Sequence, residues 1–420
     1  MNRRQVLRWS LGLGALAGVP TWLAGTGPAA ASSAPRVPLS RIAAGAPLVA
    51  AGSDELVDLA WVKLNARTLD RWTLARAADG LRLSLTPKNA LAGEAKRILI
   101  LFTKPLNTFD ATLTKILDVL ADKQVPVTIT LLNYEQDTVR LRAAIRAAES
   151  DRVDLLAPMG SETTEDVRAM YEGGALPVLS LFTKDPVLQG WVPNYDQGSG
   201  SNLAYCSVAV PIEVQLAYLR ELKPDVQNVA VLYSTSSRST IEAQVEPLRR
   251  LAEPNGLTMF DIAVTDDRRP ETEFEAGMPA ALAKMAARDP SLQRSVFWAT
   301  GTTAVINSIG TISRLAGSTP VVAVYPDLVQ EGEASAVVSV GIAYENVGYL
   351  DSVYLLDLLY NGKRAGDLKV GVISPPDLAI SFRKARDIGL KIPFGFFENA
   401  GYVYDPHGRT VRKNGQVVSL

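Results

Sequence analysis

From residue 98 onward the chain repeats one pattern: a short apolar run, a polar loop and a stretch with helical spacing. The apolar runs are rich in β-branched residues, which is typical of strands buried on both faces of a parallel sheet. Strands are predicted over 98–102, 127–132, 153–157, 177–182, 229–233, 257–264, 295–299, 320–324 and 336–340. Helices are predicted over 108–122, 138–150, 212–222, 240–253, 302–316 and 345–360. This alternation predicts an α/β fold with helices on both faces of doubly wound parallel sheets.

The predicted strands fall into two groups, separated by the segment 185–206. That segment is rich in Gly, Ser, Asn and aromatic residues and lacks a helical period, so it predicts a long loop between two lobes. We predict that one lobe comprises 96–205 plus 341–370 and the other 206–340 plus 371–400. The chain would then cross a hinge three times, near Tyr205, Gly341 and Gly371. Two lobes also agree with the chain length, which exceeds what one hydrophobic core usually holds.

The two flanking segments do not follow the repeating pattern. Residues 32–95 are predicted to form an N-terminal extension of unknown role, with a helix over 54–65 and a strand over 81–85. Residues 401–420 are predicted to form a C-terminal hairpin tail, because two apolar runs flank a turn that contains Pro and Gly.

Residues 1–31 have the layout of a signal peptide: adjacent Arg3 and Arg4, an apolar stretch, and small residues that end at Ala31. The arginine pair predicts export by the twin-arginine route, with cleavage after Ala31. A retained membrane anchor is the alternative, although the apolar stretch is shorter than the roughly 20 residues that a span needs. We therefore expect a periplasmic or extracellular protein.

Charge and cysteine content exclude several classes of protein. The chain has 43 basic and 44 acidic residues. Cleavage after Ala31 would remove three arginines and no acidic residue, which leaves 40 basic against 44 acidic residues, a net charge of −4. This charge disfavours a nucleic-acid partner. Cys206 is the only cysteine, which excludes an internal disulfide and a lipid anchor at the cleavage site. With His407 as the only histidine, a zinc site of the usual Cys/His type cannot be assembled.

Several short segments, in a fixed order, carry a family resemblance. They are Leu176-Pro177-Val178, Asp185-Pro186-Val187, Gly200-Ser201-Asn202, the run from Pro211 to Leu216, Leu222-Lys223-Pro224, the run from Val229 to Tyr233 with Ser237 and Ser239, the run from Tyr344 to Gly348, and Asn361-Gly362-Lys363. With these segments, residues 96–395 resemble the ABC transporter substrate-binding proteins that include tryptophan- and tyrosine-binding members and have the type I periplasmic-binding fold. The resemblance implies a receptor that closes on a small-molecule ligand and delivers it to an ABC permease. We expect a monomer without a cofactor.

One position departs from this family pattern. Where amino-acid-binding relatives tend to carry Thr-Asp-Asn after the strand that ends at Ala299, this chain has Thr300-Gly301-Thr302. A carboxylate that could hold a ligand ammonium is therefore missing. This departure weakens the expectation of an amino-acid ligand and leaves the predicted fold unchanged.

In open parallel sheets, ligands bind beyond the carboxyl ends of the strands. The candidate ligand-binding residues lie there or in the segment between the lobes: Thr103, Asn107, Ser161, Thr163, Thr183, Asp185, Ser201, Tyr205, Tyr233, Ser239, Thr300, Thr302, Tyr325 and Asp327. The hydroxyl groups could bind a polar ligand group or simply cap the following helices. The three tyrosines could form the walls of one cleft or pack at strand ends. The two aspartates are the predicted partners of any ligand ammonium.

Two other function classes compete with an importer receptor. A sensor that presents its ligand to a membrane receptor needs the same export and the same closing cleft, so the sequence does not separate the two. A hydrolase with a pair of carboxylates, drawn from Glu162 or Asp185, is the enzymatic hypothesis. Phosphate-loop and nucleophile-elbow motifs are absent from the sequence, so we expect a protein that is not an enzyme.

Overall fold

The computed structural model describes residues 48–50, 58–59, 61–103 and 107–418. The predicted signal peptide, residues 1–31, lies outside the described residues. Within the described ranges, none of the helices combines the length and the apolar character needed to span a membrane.

The strands of the first sheet come from the N-terminal half of the chain. In chain order the strands of this half are β1 (Leu48–Ala50), β2 (Asp58–Leu59), β3 (Val62–Lys63), β4 (Trp72–Ala77), β5 (Arg82–Pro87), β6 (Lys96–Phe102), β7 (Val127–Asn133), β8 (Leu155–Pro158), β9 (Val178–Thr183) and β10 (Leu203–Ser207). The sheet has the order β1-β4-β5-β7-β6-β8-β9-β10, and β2 pairs with β3 separately. Strands β7, β6, β8, β9 and β10 are parallel, whereas β1, β4 and β5 are added in antiparallel fashion.

The second sheet is built from the remaining strands. They are β11 (Asn228–Ser234), β12 (Thr258–Val264), β13 (Ser295–Ala299), β14 (Val321–Ala323), β15 (Val338–Gly341), β16 (Asp377–Ser381), β17 (Ala400–Tyr404), β18 (Thr410–Lys413) and β19 (Gln416–Val417). Their order is β12-β11-β13-β14-β15-β16-β17-β18-β19. The strands from β12 to β15 are parallel, and β16 is antiparallel to β15. The α/β fold with two parallel-dominant sheets is therefore confirmed, with antiparallel strands at the edges.

The helices connect the strands and cover the faces of the sheets. They are α1 (Ala66–Arg71), α2 (Asn107–Asp122), α3 (Thr138–Ser150), α4 (Ser161–Tyr171), α5 (Ile212–Leu222), α6 (Arg238–Thr240), α7 (Glu246–Ala252), α8 (Pro270–Ala286), α9 (Thr303–Asn307), α10 (Ile309–Leu315), α11 (Tyr344–Leu359), α12 (Phe382–Asp387) and α13 (Phe394–Asn399). A π-helical turn, Ile241–Val245, joins α6 to α7.

In the central strand β6 of the first sheet, side chains alternate between two hydrophobic clusters, as expected for a sheet covered on both faces. In β6, Ile98 and Ile100 face the cluster that contains α2, whereas Leu99 and Leu101 face the cluster that contains α3 and α4. All four side chains are almost completely buried. The near-continuous apolar run is thus explained by burial on both sides of the sheet.

Helix α11 packs against the first sheet although it follows β15 of the second sheet. It lies along α2 so closely that a Cβ atom added to Gly348 would lie 2.5 Å from the carbonyl oxygen of Thr112. The chain then returns beside β10: the Ser207 N–H donates to the Gly371 carbonyl (2.7 Å) and the Gly371 N–H to the Tyr205 carbonyl (2.8 Å). The lobe boundaries and the hinge that we predicted around these residues remain predictions.

Several local predictions were wrong. Strand β10 overlaps the end of the predicted loop 185–206, because its short apolar run, 203–206, follows a Gly/Ser-rich stretch that is typical of a loop. Strands β2 and β3 lie in the predicted helix 54–65, where buried Val62, exposed Lys63 and buried Leu64 alternate as a strand requires. The strand predicted over 81–85 is present as β5, which with β4 extends the first sheet. The predicted C-terminal hairpin is present as the antiparallel pair β17 and β18, and β17 to β19 extend the second sheet.

Candidate functional site

The parallel strands of the two sheets have the same order, β7-β6-β8-β9-β10 in the first and β12-β11-β13-β14-β15 in the second. In each sheet the order reverses beside the first strand, between β6 and β8 or between β11 and β13. Such reversal points leave a crevice at the carboxyl ends of the strands, where ligands bind in open α/β sheets. The loops that follow these strands in both sheets line one shared cavity of about 60 Å³.

Five of the sequence-predicted residues line this cavity: Thr103, Ser161, Thr163, Ser239 and Tyr325. Phe109, Phe182 and Lys184 also line it and were not predicted from the sequence. Ser237, Gly301 and Glu162 line it as well, although they were not among the predicted ligand-binding residues.

Lys184 connects the two halves of the cavity. It follows β9 of the first sheet, and its Nζ donates hydrogen bonds to hydroxyl groups that follow β11 of the second: Thr240 Oγ1 (2.6 Å), Ser239 Oγ (3.0 Å) and Ser237 Oγ (3.4 Å). Its backbone N–H donates to Ser161 Oγ (2.8 Å) at the start of α4. The Lys184 side chain therefore crosses the cleft with a cationic group.

A second polar contact between the halves lies at the rim of the cleft. Arg238 Nη1 and Glu165 Oε1 are 3.5 Å apart, and both side chains are more than half exposed. An exposed ion pair of this kind contributes about 0–1 kcal/mol and is screened by salt. Of these two contacts between described residues, the three hydrogen bonds of Lys184 are therefore the stronger.

Phe182 has an unusual backbone conformation that explains how Lys184 reaches the cavity. Its φ of 51° lies in the left-handed region, which non-glycine residues rarely adopt. Regular alternation along β9 would place Thr183 on the same face as Leu179 and Leu181, but the left-handed turn brings Phe182 into their cluster instead. As a result Phe182 and Lys184 line the cavity, and Thr183 is buried beside Ser161 (3.3 Å between hydroxyl oxygens).

Aromatic rings form one wall of the cavity. The Phe109 and Phe182 rings meet edge to face, with centroids 5.6 Å apart. Phe182 then contacts Tyr344 (5.4 Å), which contacts Tyr325 of the second half (5.2 Å). Gly160 makes room for this wall, since a Cβ atom at its position would lie 2.6 Å from Phe109 Cζ.

The structure shows what replaces a side chain at Gly301, the position that departs from the family pattern. A Cβ atom added there would lie 2.5 Å from Tyr325 Cε2 and 2.8 Å from the Tyr325 hydroxyl. The Gly301 N–H donates to Gln244 Oε1 (2.9 Å). Burial raises the pKa of the Tyr325 hydroxyl, so it stays protonated and can donate to a ligand. A neutral phenol therefore occupies the space where a carboxylate would project.

Asp185, one of the two predicted ammonium partners, does not line the cavity. Its carboxylate is buried and accepts hydrogen bonds from the backbone N–H groups of Val187 (2.9 Å) and Leu188 (3.1 Å), and from the Tyr195 hydroxyl. Burial raises its pKa, and these hydrogen bonds oppose that shift. Asp185 thus holds a turn in place, which contradicts its predicted position in the cleft.

Asp327, the other predicted ammonium partner, lies in a separate recess of about 310 Å³ together with Glu345, Tyr402, Tyr404 and Lys413. Its side chain reaches solvent, but the surrounding walls displace much of the water and raise its pKa to about 6. The nearby Glu345 and Asp377 carboxylates raise it further, whereas the Tyr344 N–H, which donates to Asp327 Oδ2 (3.3 Å), opposes the shift. Asp327 is therefore also placed away from the cavity.

The predicted convergence of three tyrosines was wrong, because only Tyr325 lines the cavity. Tyr205 points to the opposite face of the first sheet, where its ring contacts Trp191 (5.7 Å between centroids). Tyr233 is half-buried and interacts with Asp261 and Arg249. Strand alternation explains both results, since a tyrosine at a strand end can point to either face.

The remaining candidates have local roles or lie beside the cavity. Thr300 Oγ1 donates to the Leu232 carbonyl (2.7 Å), and Ser201 Oγ lies 3.1 Å from Ser199 Oγ in the loop before β10. Thr302 precedes α9 and is buried but does not line the cavity. Asn107 begins α2, and its side chain lies outside the described residues.

The described lining offers binding groups rather than a catalytic set. Glu162 is the one carboxylate among the lining residues, so the pair required by the hydrolase hypothesis does not meet there. Among the described residues, no group of three or more His, Cys, Asp or Glu side chains could hold a metal ion. Hydroxyl groups, an ammonium group and aromatic rings are the means by which a protein holds a small polar molecule.

Comparison with known proteins agrees with this description. The family model of the ABC transporter substrate binding protein matches residues 106–403. No curated protein sequence matches the chain. A domain from Streptococcus pneumoniae, solved in complex with L-Trp, is similar at a TM-score of 0.59 and 21% identity, covering 74% of this chain and 100% of that one. The ligand-free, open structure of a substrate binding protein with adhesive properties from Clostridium difficile is similar at a TM-score of 0.55 and 22% identity. The match covers 73% of this chain and 98% of that one. A conserved domain protein from Vibrio cholerae is similar at a TM-score of 0.58 and 21% identity, and the match covers 74% of this chain and 100% of that one.

Proposed function

Since this chain belongs to the ABC transporter substrate-binding protein family, we propose that it is an exported receptor that captures a small organic molecule between its two lobes and delivers it to an ABC importer. The observation that carries the proposal is the cavity lined by strand ends from both sheets and crossed by Lys184. A ligand in this position would touch both halves at once. It would therefore stabilise the closed arrangement relative to the open one, because a ligand shifts an equilibrium by its differential affinity for the two states.

Ligand binding is expected to compact the protein and to raise its thermal stability. At a hundredfold excess of ligand over the dissociation constant, the gain in unfolding free energy is about 2.7 kcal/mol. A metabolite screen by thermal shift, on protein unfolded and refolded to remove any retained ligand, identifies the ligand. Small-angle scattering with and without that ligand then measures the radius of gyration. A ligand that stabilises the protein without any compaction would contradict the interlobe mechanism.

Export is expected to depend on the arginine pair near the start of the chain. Changing Arg3 and Arg4 together to Lys should leave the precursor in the cytoplasm, because the pair is the recognised feature of the twin-arginine route. Fractionation of cells that express the two forms measures the exported fraction, and the matched control is Arg8→Lys, which keeps the pair. Normal export of the double variant would indicate the general secretory route instead.

A further inference from the structure

We infer that the segment 61–87 is a positioning element for the cavity: through Trp61 and Phe102 it holds the Phe109 ring in its place in the cavity wall. The segment belongs to the N-terminal extension, for which the sequence indicated no role, and it precedes the family match, which begins at residue 106. The inference rests on the proposed function, because the cavity is taken as the place where the ligand binds.

The segment has a firm base in the first sheet. Its strands β4 and β5 pair with each other, and β5 pairs with β7 of the sheet. Between β4 and β5 lies Gly80, whose carbonyl accepts a hydrogen bond from Trp61 Nε1 (2.8 Å). The Trp61 side chain is otherwise buried in the hydrophobic cluster that contains α2. The hydrogen bond at one edge and the burial of the ring together fix the orientation of Trp61.

A row of aromatic rings leads from Trp61 to the cavity. The Trp61 and Phe102 ring centroids are 5.7 Å apart, and those of Phe102 and Phe109 are 6.2 Å apart. Tilted rings at separations of about 4.5–7 Å attract each other. Of these three residues, Phe109 is the one among the described lining residues. Phe102 therefore links the position of Trp61 to a ring that a ligand can touch.

The same segment holds helix α2, which carries Phe109 in its first turn. The Lys63 backbone N–H donates to Asp110 Oδ1 (3.0 Å), at the residue that follows Phe109. At the other end of the helix, Arg71 Nη2 lies 2.6 Å from Asp122 Oδ1. The segment thus contacts α2 from its first turn to its last. The backbone that carries Phe109 is supported as well as its ring.

The position of Phe109 determines the shape of the cavity. Its ring meets Phe182 edge to face (5.6 Å), and a Cβ atom added to Gly160 would lie 2.6 Å from its Cζ atom. In a cavity of about 60 Å³, a small shift of this ring changes the space that a ligand can fill. A wall that is already in place spares the ligand the free-energy cost of ordering it. Support from Trp61 should therefore raise affinity.

Isotope-edited NMR of the folded full-length protein tests the positioning without any ligand. Phenylalanine labelled at Cζ gives one aromatic signal for each phenylalanine, and Phe109→Leu identifies the signal of Phe109. Trp61→Leu removes the ring that contacts Phe102. It should shift or broaden the Phe109 signal, because the Phe109 ring then samples more than one position. An unchanged Phe109 signal in the folded variant would overturn the inference.

The matched control is Trp72→Leu. Trp72 lies in the same segment and is equally buried, but among the described residues no ring contact joins it to Phe102 or Phe109. Its replacement should lower stability to urea without changing the Phe109 signal. Equal signal changes in the two variants would mean a general loosening of the segment and would contradict a specific role of Trp61.

A milder substitution covers the case in which a variant does not fold. Where circular dichroism shows that a Leu variant is unfolded, the Phe variant at the same position takes its place. Trp61→Phe keeps a ring and loses the hydrogen bond to the Gly80 carbonyl, so it should give a smaller change of the Phe109 signal. No change in a folded Trp61→Phe protein would then decide against the inference.

The consequence for binding is measured by calorimetry with the compound that gives the largest shift in the thermal screen described above. Trp61→Leu should weaken its affinity about 3- to 10-fold, the factor that corresponds to one aromatic contact, and Trp72→Leu should leave it unchanged. Unaltered affinity in Trp61→Leu would overturn the inference and leave the receptor function standing. A screen in which no compound binds would instead contradict the proposed function, while the NMR result would still decide whether the segment positions Phe109.

Discussion

The Asp351→Asn variant is expected to be more stable than the parent protein at neutral and alkaline pH, and about equally stable near pH 4. Asp351 lies on α11, fully buried, and neither carboxyl oxygen has a hydrogen-bond partner of normal geometry among the described residues. Burial raises its pKa well above the usual value, although weak interactions with the Cys206 thiol and the Phe182 backbone oppose the shift. Asn has the same shape and no proton to lose.

The direction of this pH dependence follows from the linkage between proton binding and folding. With the folded pKa above the unfolded value, the folded chain keeps its proton in a pH range where the unfolded chain has released it. The parent protein therefore has its full free energy of unfolding below the pKa that Asp351 has in the unfolded chain. As the pH rises from that value to the pKa in the folded chain, the free energy of unfolding falls by about 1.4 kcal/mol per pH unit. Urea unfolding at several pH values from 4 to 9, compared between the two proteins, measures the difference directly.

The control for this prediction is Asp196→Asn. Asp196 is 72% exposed and pairs only with Lys369 at the surface (3.1 Å) among the described residues, so its replacement should change stability by less than about 1 kcal/mol at every pH. If Asp351→Asn shows the same pH dependence as the parent protein, the carboxyl group is not buried as the structure shows.

The Gly160→Ala variant is expected to be strongly destabilised and to lose ligand binding. Gly160 has a φ of 86°, and the added Cβ atom would lie 2.6 Å from Phe109 Cζ, so the substitution combines backbone strain with overpacking of the aromatic wall. With ψ at 162°, Gly160 adopts a conformation that is essentially confined to glycine and costs an L-residue about 1–3 kcal/mol, and overpacking typically adds about 1–3 kcal/mol. Chemical unfolding and calorimetry with the identified ligand measure the two effects.

A matched substitution separates the two causes. Gly173 has a φ of 82° in the same part of the chain, but a Cβ atom there would meet no atom within 4 Å. Gly173→Ala should therefore show the backbone cost alone and bind ligand normally. Equal losses in the two variants would mean that the Phe109 ring moves aside freely and that the wall is not rigid.

The central parallel strands of the two sheets were easier to predict from the sequence than the other strands. The central strands, such as β6 and β11, were predicted because burial on both faces demands continuous apolar runs, which little else in a protein produces. Strand β10 was missed because its apolar run is short and follows a glycine- and serine-rich segment. Strand β5 was identified only over 81–85 and β4 was missed, because both strands mix buried apolar residues with Arg, Thr and Ser and so lack a continuous apolar run.

Strand ends indicate where ligands bind, and this argument selected Ser161 and Ser239, which line the cavity at helix starts. That these residues bind the ligand stays a prediction. The argument failed for Lys184 because the left-handed conformation of Phe182 interrupts the alternation of side chains. No local pattern of residues predicts that conformation. Phe109 was missed for a simpler reason, since it looks like an ordinary core residue of α2.

The packing of α11 against α2 constrains the order in which the protein can fold during synthesis. Helix α2 begins at Asn107, whereas α11 ends only at Leu359, so the end of its partner is synthesised 252 residues (359 − 107) later. Until then the side of α2 that packs against α11 has no cover, and contacts of such high sequence separation form slowly. The half of the molecule that is made first is therefore completed after most of the other half. Truncation before α11 should yield chains that aggregate or require a chaperone.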